Sequence, residues 1–360
     1  MVRISGENEV LNPQRTKITI LLFTVLIVTN CWDKQSHGIS RPEVPHYALS
    51  GRTVMMHDTS RSVSNATVKI YPNMMIYDVT PDMQATTVDT SGFFQFDTVY
   101  PGLYNIQIYR DEYRVVNKQI NINYDDRFVQ VATPEYLASD RKITTDVNSP
   151  TGGARLLIAW VGTKAWITGS YIQYLEAMPA LYQCRSSLQL STGQLNSEKY
   201  YDDPLPNATV LDAADHLLYR AFGATVLLID PSTGQTLSEF TMDGATKFYG
   251  LTQNSRGIWT VYGRTLQFRG NDIRTVQETY QAGGSYFNCI TAAGGVFFVY
   301  DTGNQVMLKL KQDGTILNAY RLFGSNKEFW LELVDIAYSA YNDRLWITTN
   351  GNRIYTIPTP

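Results

Sequence analysis

Thr225-Val226-Leu227-Leu228-Ile229-Asp230-Pro231-Ser232-Thr233-Gly234-Gln235-Thr236-Leu237 is the stretch on which the fold turns. An apolar, β-branched run passes straight into Asp-Pro-Ser-Thr-Gly, and a second run begins at once. Asp and Pro open a turn and Gly supplies positive φ, so the stretch reads strand, turn, strand. Just upstream, Tyr219 stands in an apolar strand shortly before Gly223. That sign, an aromatic followed three to five residues later by Gly, recurs as Trp166/Gly169, Trp259/Gly263, Phe298/Gly303 and Trp346/Gly351. A strand follows each glycine: 171–174, 225–229, 265–268, 305–310 and 353–357. In four copies a further turn and strand follow, again clear in Gln312-Asp313-Gly314-Thr315-Ile316-Leu317.

The aromatic anchors lie 53, 40, 39 and 48 residues apart. Units of about 40–45 residues with four short strands each are the blades of a β-propeller. The sequence predicts five blades over 154–360, or six if one copy is degenerate. A two-sheet sandwich with the same strand count is the alternative. Residues 175–188 read as an insertion that lengthens the first interval. The last copy stops after Ile357 without an outer strand. A strand from 142–147, inside the 132–153 linker, is expected to supply it and close the ring.

Before that linker, residues 46–131 alternate with period two between turn signals, the pattern of a small antiparallel sandwich. Four segments stand in order: Gly51-Arg52-Thr53-Val54, Ala66-Thr67-Val68-Lys69-Ile70, Thr87-Val88-Asp89-Thr90-Ser91-Gly92-Phe93-Phe94, and Pro101-Gly102-Leu103-Tyr104. On these, the segment resembles the carboxypeptidase regulatory-like (prealbumin-like) domain, with Thr53 shifting the usual Gly-x-Val spacing by one. The resemblance implies a non-catalytic accessory module, acting as a spacer or as a face for carbohydrate or partner binding. In the repeat region, the run 225–234 resembles propellers of the YVTN and NHL type, where a strand ends in Asp-x-x-Thr-Gly.

The N-terminus carries an address. A polar stretch with Arg15 and Lys17 precedes the apolar run 18–28. Eleven residues are too few for a span, which takes about 20, and fit the h-region of a signal peptide over 1–30. Val28-Thr29-Asn30-Cys31 follows and resembles the lipobox of bacterial lipoproteins, although Asn30 departs from the small residue usual there. The resemblance implies a lipidated Cys31 and a membrane-anchored, exported protein of the cell envelope, at the outer membrane or cell surface. Acyl chains hold by burial of methylenes, about 0.8 kcal/mol each. Residues 31–45 then read as a polar tether.

Composition limits the chemistry. The chain has 360 residues, 44% of them hydrophobic, and a formal net charge of −3. Removing 1–30 leaves 27 basic against 31 acidic residues. With no basic stripe, nucleic acid is not an expected partner. The four histidines, His37, His46, His57 and His216, are scattered and set up neither a zinc site nor a triad. Asp215-His216 is the lone local pairing. Cys184 and Cys289 either pair in an oxidising compartment or lie as two buried thiols. Asp212, Gln253, Asn288 and Asp335 fall at comparable places on inner strands, which makes them the candidate channel-facing polar set. No metal or cofactor is expected. The composition favours a binding or scaffolding protein with a protein or glycan ligand. A propeller enzyme of lactonase or lyase type, working in the channel, is the alternative.

Overall fold

A computed structural model describes residues 43–360 except 77–80, 145–154, 162–163, 176–177, 189–194, 202–209, 215, 223, 232–234, 243–247, 272 and 351–352; for 144, 155, 164, 166–175, 178–188, 195–201, 210–211 and 222 it describes the backbone. The chain divides into Met1–Pro45 and His46–Pro360, and the fold below is that of the second unit. Cys31, Val28-Thr29-Asn30 and His37 lie outside the described residues, as does Asp215.

The first seven strands make the sandwich. They are β1 (Tyr47–Met55), β2 (Thr67–Met75), β3 (Gln84–Thr87), β4 (Phe93–Val99), β5 (Gly102–Arg110), β6 (Tyr113–Ile122) and β7 (Arg127–Thr133). One sheet has the order β4-β1-β7 and the other β3-β2-β5-β6. Pairing is antiparallel except between β1 and β7, which run parallel from Leu49/Arg127 to Met55/Thr133. Alternation places Tyr104, Ile106 and Ile108 of β5 inward, where they meet Val68, Ile70, Phe94 and Phe96 in a single core. Gly51 is required by this packing: a Cβ there would lie 2.4 Å from both Phe94 Cζ and the Val129 carbonyl oxygen. The turn before β4 is tied by Asp89, whose Oδ1 accepts from the amides of Ser91 and Phe93, each at 2.8 Å, while Gly92 takes φ 83°.

Two linker strands follow, β8 (Glu135–Ala138) and β9 (Arg141–Thr144). Then come the blades. Blade 1 is β10 (Arg155–Val161), β11 (Lys164–Leu175), β12 (Met178–Leu188) and β13 (Leu195–Tyr201). Blade 2 is β14 (Val210–Ala214), β15 (Leu217–Phe222), β16 (Thr225–Ile229) and β17 (Thr236–Thr241). Blade 3 is β18 (Gly250–Asn254), β19 (Gly257–Tyr262), β20 (Thr265–Gly270) and β21 (Glu278–Gln281). Blade 4 is β22 (Phe287–Ala293), β23 (Val296–Asp301), β24 (Val306–Leu310) and β25 (Ile316–Phe323). Blade 5 is β26 (Leu333–Ser339), β27 (Arg344–Thr349) and β28 (Arg353–Pro358). The innermost strands β10, β14, β18, β22 and β26 pack in a closed ring. The chain is therefore all-β, a sandwich followed by a five-bladed propeller.

The closing strand is β9. It pairs antiparallel with β28 from Arg353/Thr144 to Thr356/Arg141 and gives blade 5 its fourth strand. It begins one residue before the expected Lys142. β8, which the sequence did not announce, adds in parallel to the outer edge of β25 as a fifth strand of blade 4. The expected insertion is instead regular structure in its described part: Leu175 ends β11 and 178–188 are β12, and the two strands pair from Ala165/Leu188 to Leu175/Met178. The long strands β11 and β12 lengthen the first interval.

Apolar clusters fill the seams between blades. Trp160 and Trp346 meet at 5.2 Å between blades 1 and 5. Trp259 and Phe297 meet at 4.9 Å between blades 3 and 4. Cys289 is buried in the seam of blades 4 and 5; the side chain of Cys184 is outside the described residues.

The sandwich is fixed to blade 4. Phe323 belongs to the sandwich core and lies 5.0 Å from Tyr113, which stacks on Tyr136 at 4.4 Å. Buried Arg321 donates from Nε to the Val115 carbonyl (3.3 Å) and from Nη1 to those of Asn304 (3.1 Å) and Gln305 (2.9 Å). Its guanidinium lies 4.2 Å from the Trp330 ring. Burial pulls its pKa down to about 10. The hairpin tip Asp111-Glu112, both at positive φ, adds an ion pair from Glu112 to Lys327.

Candidate functional site: the propeller channel

Each innermost strand pairs on one side with the second strand of its own blade. Its other edge faces the channel and carries amides that the sheet leaves unpaired. A buried amide without a partner is costly, and neighbouring blades supply the partners. Asp212 on β14 accepts from the Leu251 amide of β18 at 2.7 Å through Oδ2. Thr252 on β18 accepts from the Ala292 amide of β22 at 2.9 Å. Thr291 on β22 accepts from the Tyr338 amide of β26 at 2.9 Å. Asp335 on β26 accepts from the Ile158 amide of β10 at 2.9 Å through Oδ2. Thr348 adds a bond of 2.7 Å to the Leu156 carbonyl at that last seam. Among the described residues, four seams thus carry a side-chain oxygen braced on the next blade's backbone.

Inside the ring is a cavity of about 250 Å³. Every innermost strand contributes to its wall, with Trp160, Asp212, Thr252, Gln253, Thr291 and Tyr338 among the lining residues. Of the four residues expected at the channel, Asp212 and Gln253 line this cavity; Asn288 and Asp335 are not part of its wall. Asn288 donates from Nδ2 to the Leu333 carbonyl at 3.1 Å across the seam of blades 4 and 5. Asp335 is buried, with Oδ1 accepting from its neighbour Ile336 at 2.9 Å. Thr252 and Thr291 went unrecognised, because an isolated Thr in a strand looks like any half-buried β residue.

Burial, and next the negative charge of Asp335, push the Asp212 carboxyl well above the usual carboxylate range; the Leu251 amide pulls weakly the other way. Two buried carboxyls that sense each other titrate as a pair, so one proton is retained to higher pH. In blade 4, Asp301 behaves oppositely. Its burial would raise it, but donors from Ser285 and Asn304 and the amides of Ser285 and Tyr286 hold it low.

Outside the channel, His216 is exposed at the β14–β15 turn with φ 64°. Among the described residues, no group of three or more His, Cys, Asp or Glu is placed to hold a metal ion. The more notable surface is aromatic. Tyr262 at the end of β19 and Tyr286 just before β22 are exposed, and Tyr249 just before β18 meets Tyr286 edge-on at 4.9 Å. Burial, then the Tyr249 hydroxyl, raise the Tyr286 pKa. The three rings converge where blades 3 and 4 begin.

No family model and no curated protein matches the chain. Among solved structures it is similar to the glutaminyl cyclase of Myxococcus xanthus, with 16% identity, a TM-score of 0.47, and coverage of 62% of this chain and 97% of that one. It is also similar to the WD40 β-propeller domain of Doa1, with 9% identity, a TM-score of 0.36, and coverage of 63% and 98%. The five-bladed assignment stands on the sheets and their closure, described above.

Proposed function

We propose that the protein is a lipid-anchored, non-catalytic binding protein of the cell envelope, whose propeller presents a recognition surface to a protein or carbohydrate ligand. One observation carries this reading. The cavity wall's oxygens on Asp212, Thr252 and Thr291 are engaged in bracing blade to blade, as is buried Asp335 behind the wall. A group that holds the ring together is a poor candidate for leaving its partner to meet a substrate. The surface open to a ligand is then the Tyr249, Tyr262 and Tyr286 group, since tyrosines give large contact area at low entropic cost and hydrogen-bonding tips. The anchor is supported by the lipobox-like Val28-Thr29-Asn30-Cys31. The sandwich reads as a carboxypeptidase regulatory-like module, supported by its four ordered segments, and serves as a rigid mount.

The second reading, a channel enzyme, is favoured by one fact: Asp212 is a carboxyl with a raised pKa beside a cavity, a frequent mark of acid–base catalysis. The experiment that separates the two is a glycan and envelope-extract binding screen on the full chain, repeated with Tyr262→Ala/Tyr286→Ala and with Asp212→Asn. The binding reading expects the tyrosine pair to lower affinity at least tenfold with unchanged thermal stability, and Asp212→Asn to leave affinity alone. A ligand that is turned over by the wild type and not by Asp212→Asn would replace it with the enzyme.

A further inference from the structure

The sandwich has two ends, and they differ. Met55 pairs with Thr133 at one end, next to the hairpin tip 110–113, and there the propeller is attached through Arg321, Lys327 and Phe323. At the other end the chain enters β1 at Tyr47, which pairs with Val99. Gly102 there lies beside both Met75 and Ile122, and the Ile76 amide donates to the Pro101 carbonyl at 3.2 Å. Asp126 accepts from the Ala48 amide at 2.8 Å, which ties the β6–β7 connection to the same end.

At this entry end the sandwich groups its most exposed apolar side chains. Met74 is 70% exposed, Ile76 50%, Tyr124 59% and Phe128 62%. Large hydrophobics grouped like this on a soluble face mark a contact site. The chain arriving there supplies the occupant. Residues 32–45 separate Cys31 from His46 and reach at most about 50 Å when extended. A lipid on Cys31 therefore keeps this end within reach of a bilayer at all times. The nine residues of β1 put the propeller junction about 30 Å from it.

We propose that this end of the sandwich docks on the bilayer, with Met74, Ile76, Tyr124 and Phe128 seated in the headgroup region and the propeller held away from the membrane. The proposal rests on the anchored reading above. The lipid class follows from chemistry. Between its aromatics the rim carries Asp125, Asp126 and Arg127, so its charges nearly cancel, contact is apolar, and a zwitterionic surface suits it. Tyrosine at such a boundary keeps its ring in the apolar layer and its hydroxyl in water.

The test uses the full chain reconstituted in phosphatidylcholine vesicles, with nitroxide labels at Tyr124→Cys, Phe128→Cys and, as a control on the β26–β27 turn, Tyr341→Cys; the labelled unsubstituted chain gives the background. Docking predicts that labels at 124 and 128 collide with oxygen at least threefold more readily than with a water-soluble nickel chelate, and that 341 shows the reverse. Labels at 124 and 128 that behave like 341 would overturn it. So would labels shielded from both reagents, which is the result for a second copy or another protein covering this end. The intact mass of the mature chain separates the two readings. An acylated chain with water-exposed labels removes the docking alone; an unacylated chain with lipid-facing labels removes the anchor and leaves the docking standing.

Discussion

In the sandwich, inward side chains from both sheets meet in one cluster, so Val68, Phe94, Ile106 and Ile122 all share neighbours. The propeller has no such common centre. Its apolar residues are divided among clusters at the seams, and its middle is a cavity walled by Asp212, Thr252, Gln253 and Thr291. The sandwich therefore holds by packing that its strands share, β3 at the edge excepted, whereas the ring holds by pairwise contacts that must each close. Polar braces are needed only in the second case, because a ring of inner strands leaves amide edges facing inward and a sandwich core does not. Arg321 and Phe323 then join the two systems into one body.

The largest expected effect tests that joining. Trp346 is fully buried in the seam where the ring closes, against Trp160. Truncating such a side chain costs about 3–5 kcal/mol. Trp346→Ala is expected to lose that much. Calorimetry is expected to show one transition at a lower temperature, with the sandwich melting alongside the ring. Two resolved transitions would break the claim that Phe323 and Arg321 couple the modules.

The second test concerns the channel and its pH response. The folded chain holds the Asp212 proton above the pH at which an unfolded carboxyl, near 3.9, releases it. The folded state thus binds more protons across that window. The contribution of this one carboxyl to stability is fully present below about pH 4, falls as pH rises through its folded pKa, and is flat beyond it, whereas carboxylates held low, such as Asp301, contribute in the opposite sense. Asp212→Asn keeps an oxygen for the Leu251 amide and removes the titration. Urea unfolding of the two chains from pH 4 to 8 is expected to diverge, the variant gaining about 1.4 kcal/mol for each unit by which the folded pKa is raised. Parallel curves would show that the buried pair does not hold its proton.

What the sequence disclosed, and what it hid, follow the same division. Turns are local, so Asp89-Thr90-Ser91-Gly92 and Pro101-Gly102 could be placed by their residues alone, and Tyr104 points inward as that reading requires. The strand that closes the ring was legible for a different reason: a blade lacking its outer strand demands one, and only the linker could provide it. The braces were not legible as a set. The amide that Thr252 meets is on Ala292, forty residues on, and nothing near Thr252 announces it. Asp212 and Asn288 stood out alike, as polar residues at comparable places on inner strands, but Asn288 serves a seam rather than the cavity wall. The parallel addition of β8 to β25 left no pattern in its four residues. The long hairpin of β11 and β12 was hidden because 175–188 lengthens the repeat and reads as an insertion; Pro179 within it lies near a strand end, paired with Tyr174.

The smallest effect bears most directly on the comparison. Thr252→Val preserves shape and removes only the hydroxyl, so the Ala292 amide loses its acceptor while packing is kept. A buried donor left unsatisfied costs about 1–3 kcal/mol, and the half-open channel side of β22 lets water recover part of it, which places the expected loss near 1 kcal/mol. Thr291→Val removes the equivalent bond to the Tyr338 amide and should cost about the same. These bonds lie at successive seams, 3/4 and 4/5, yet both seams belong to one closed ring. If each seam holds independently, the double variant loses the sum of the two. A double loss clearly exceeding that sum means that opening one seam weakens the next, and the ring then behaves as one cooperative element, much as the sandwich core does. Losses of only a few tenths from either single variant would mean that apolar packing alone closes the ring, and would return the channel oxygens to the list of groups available for chemistry.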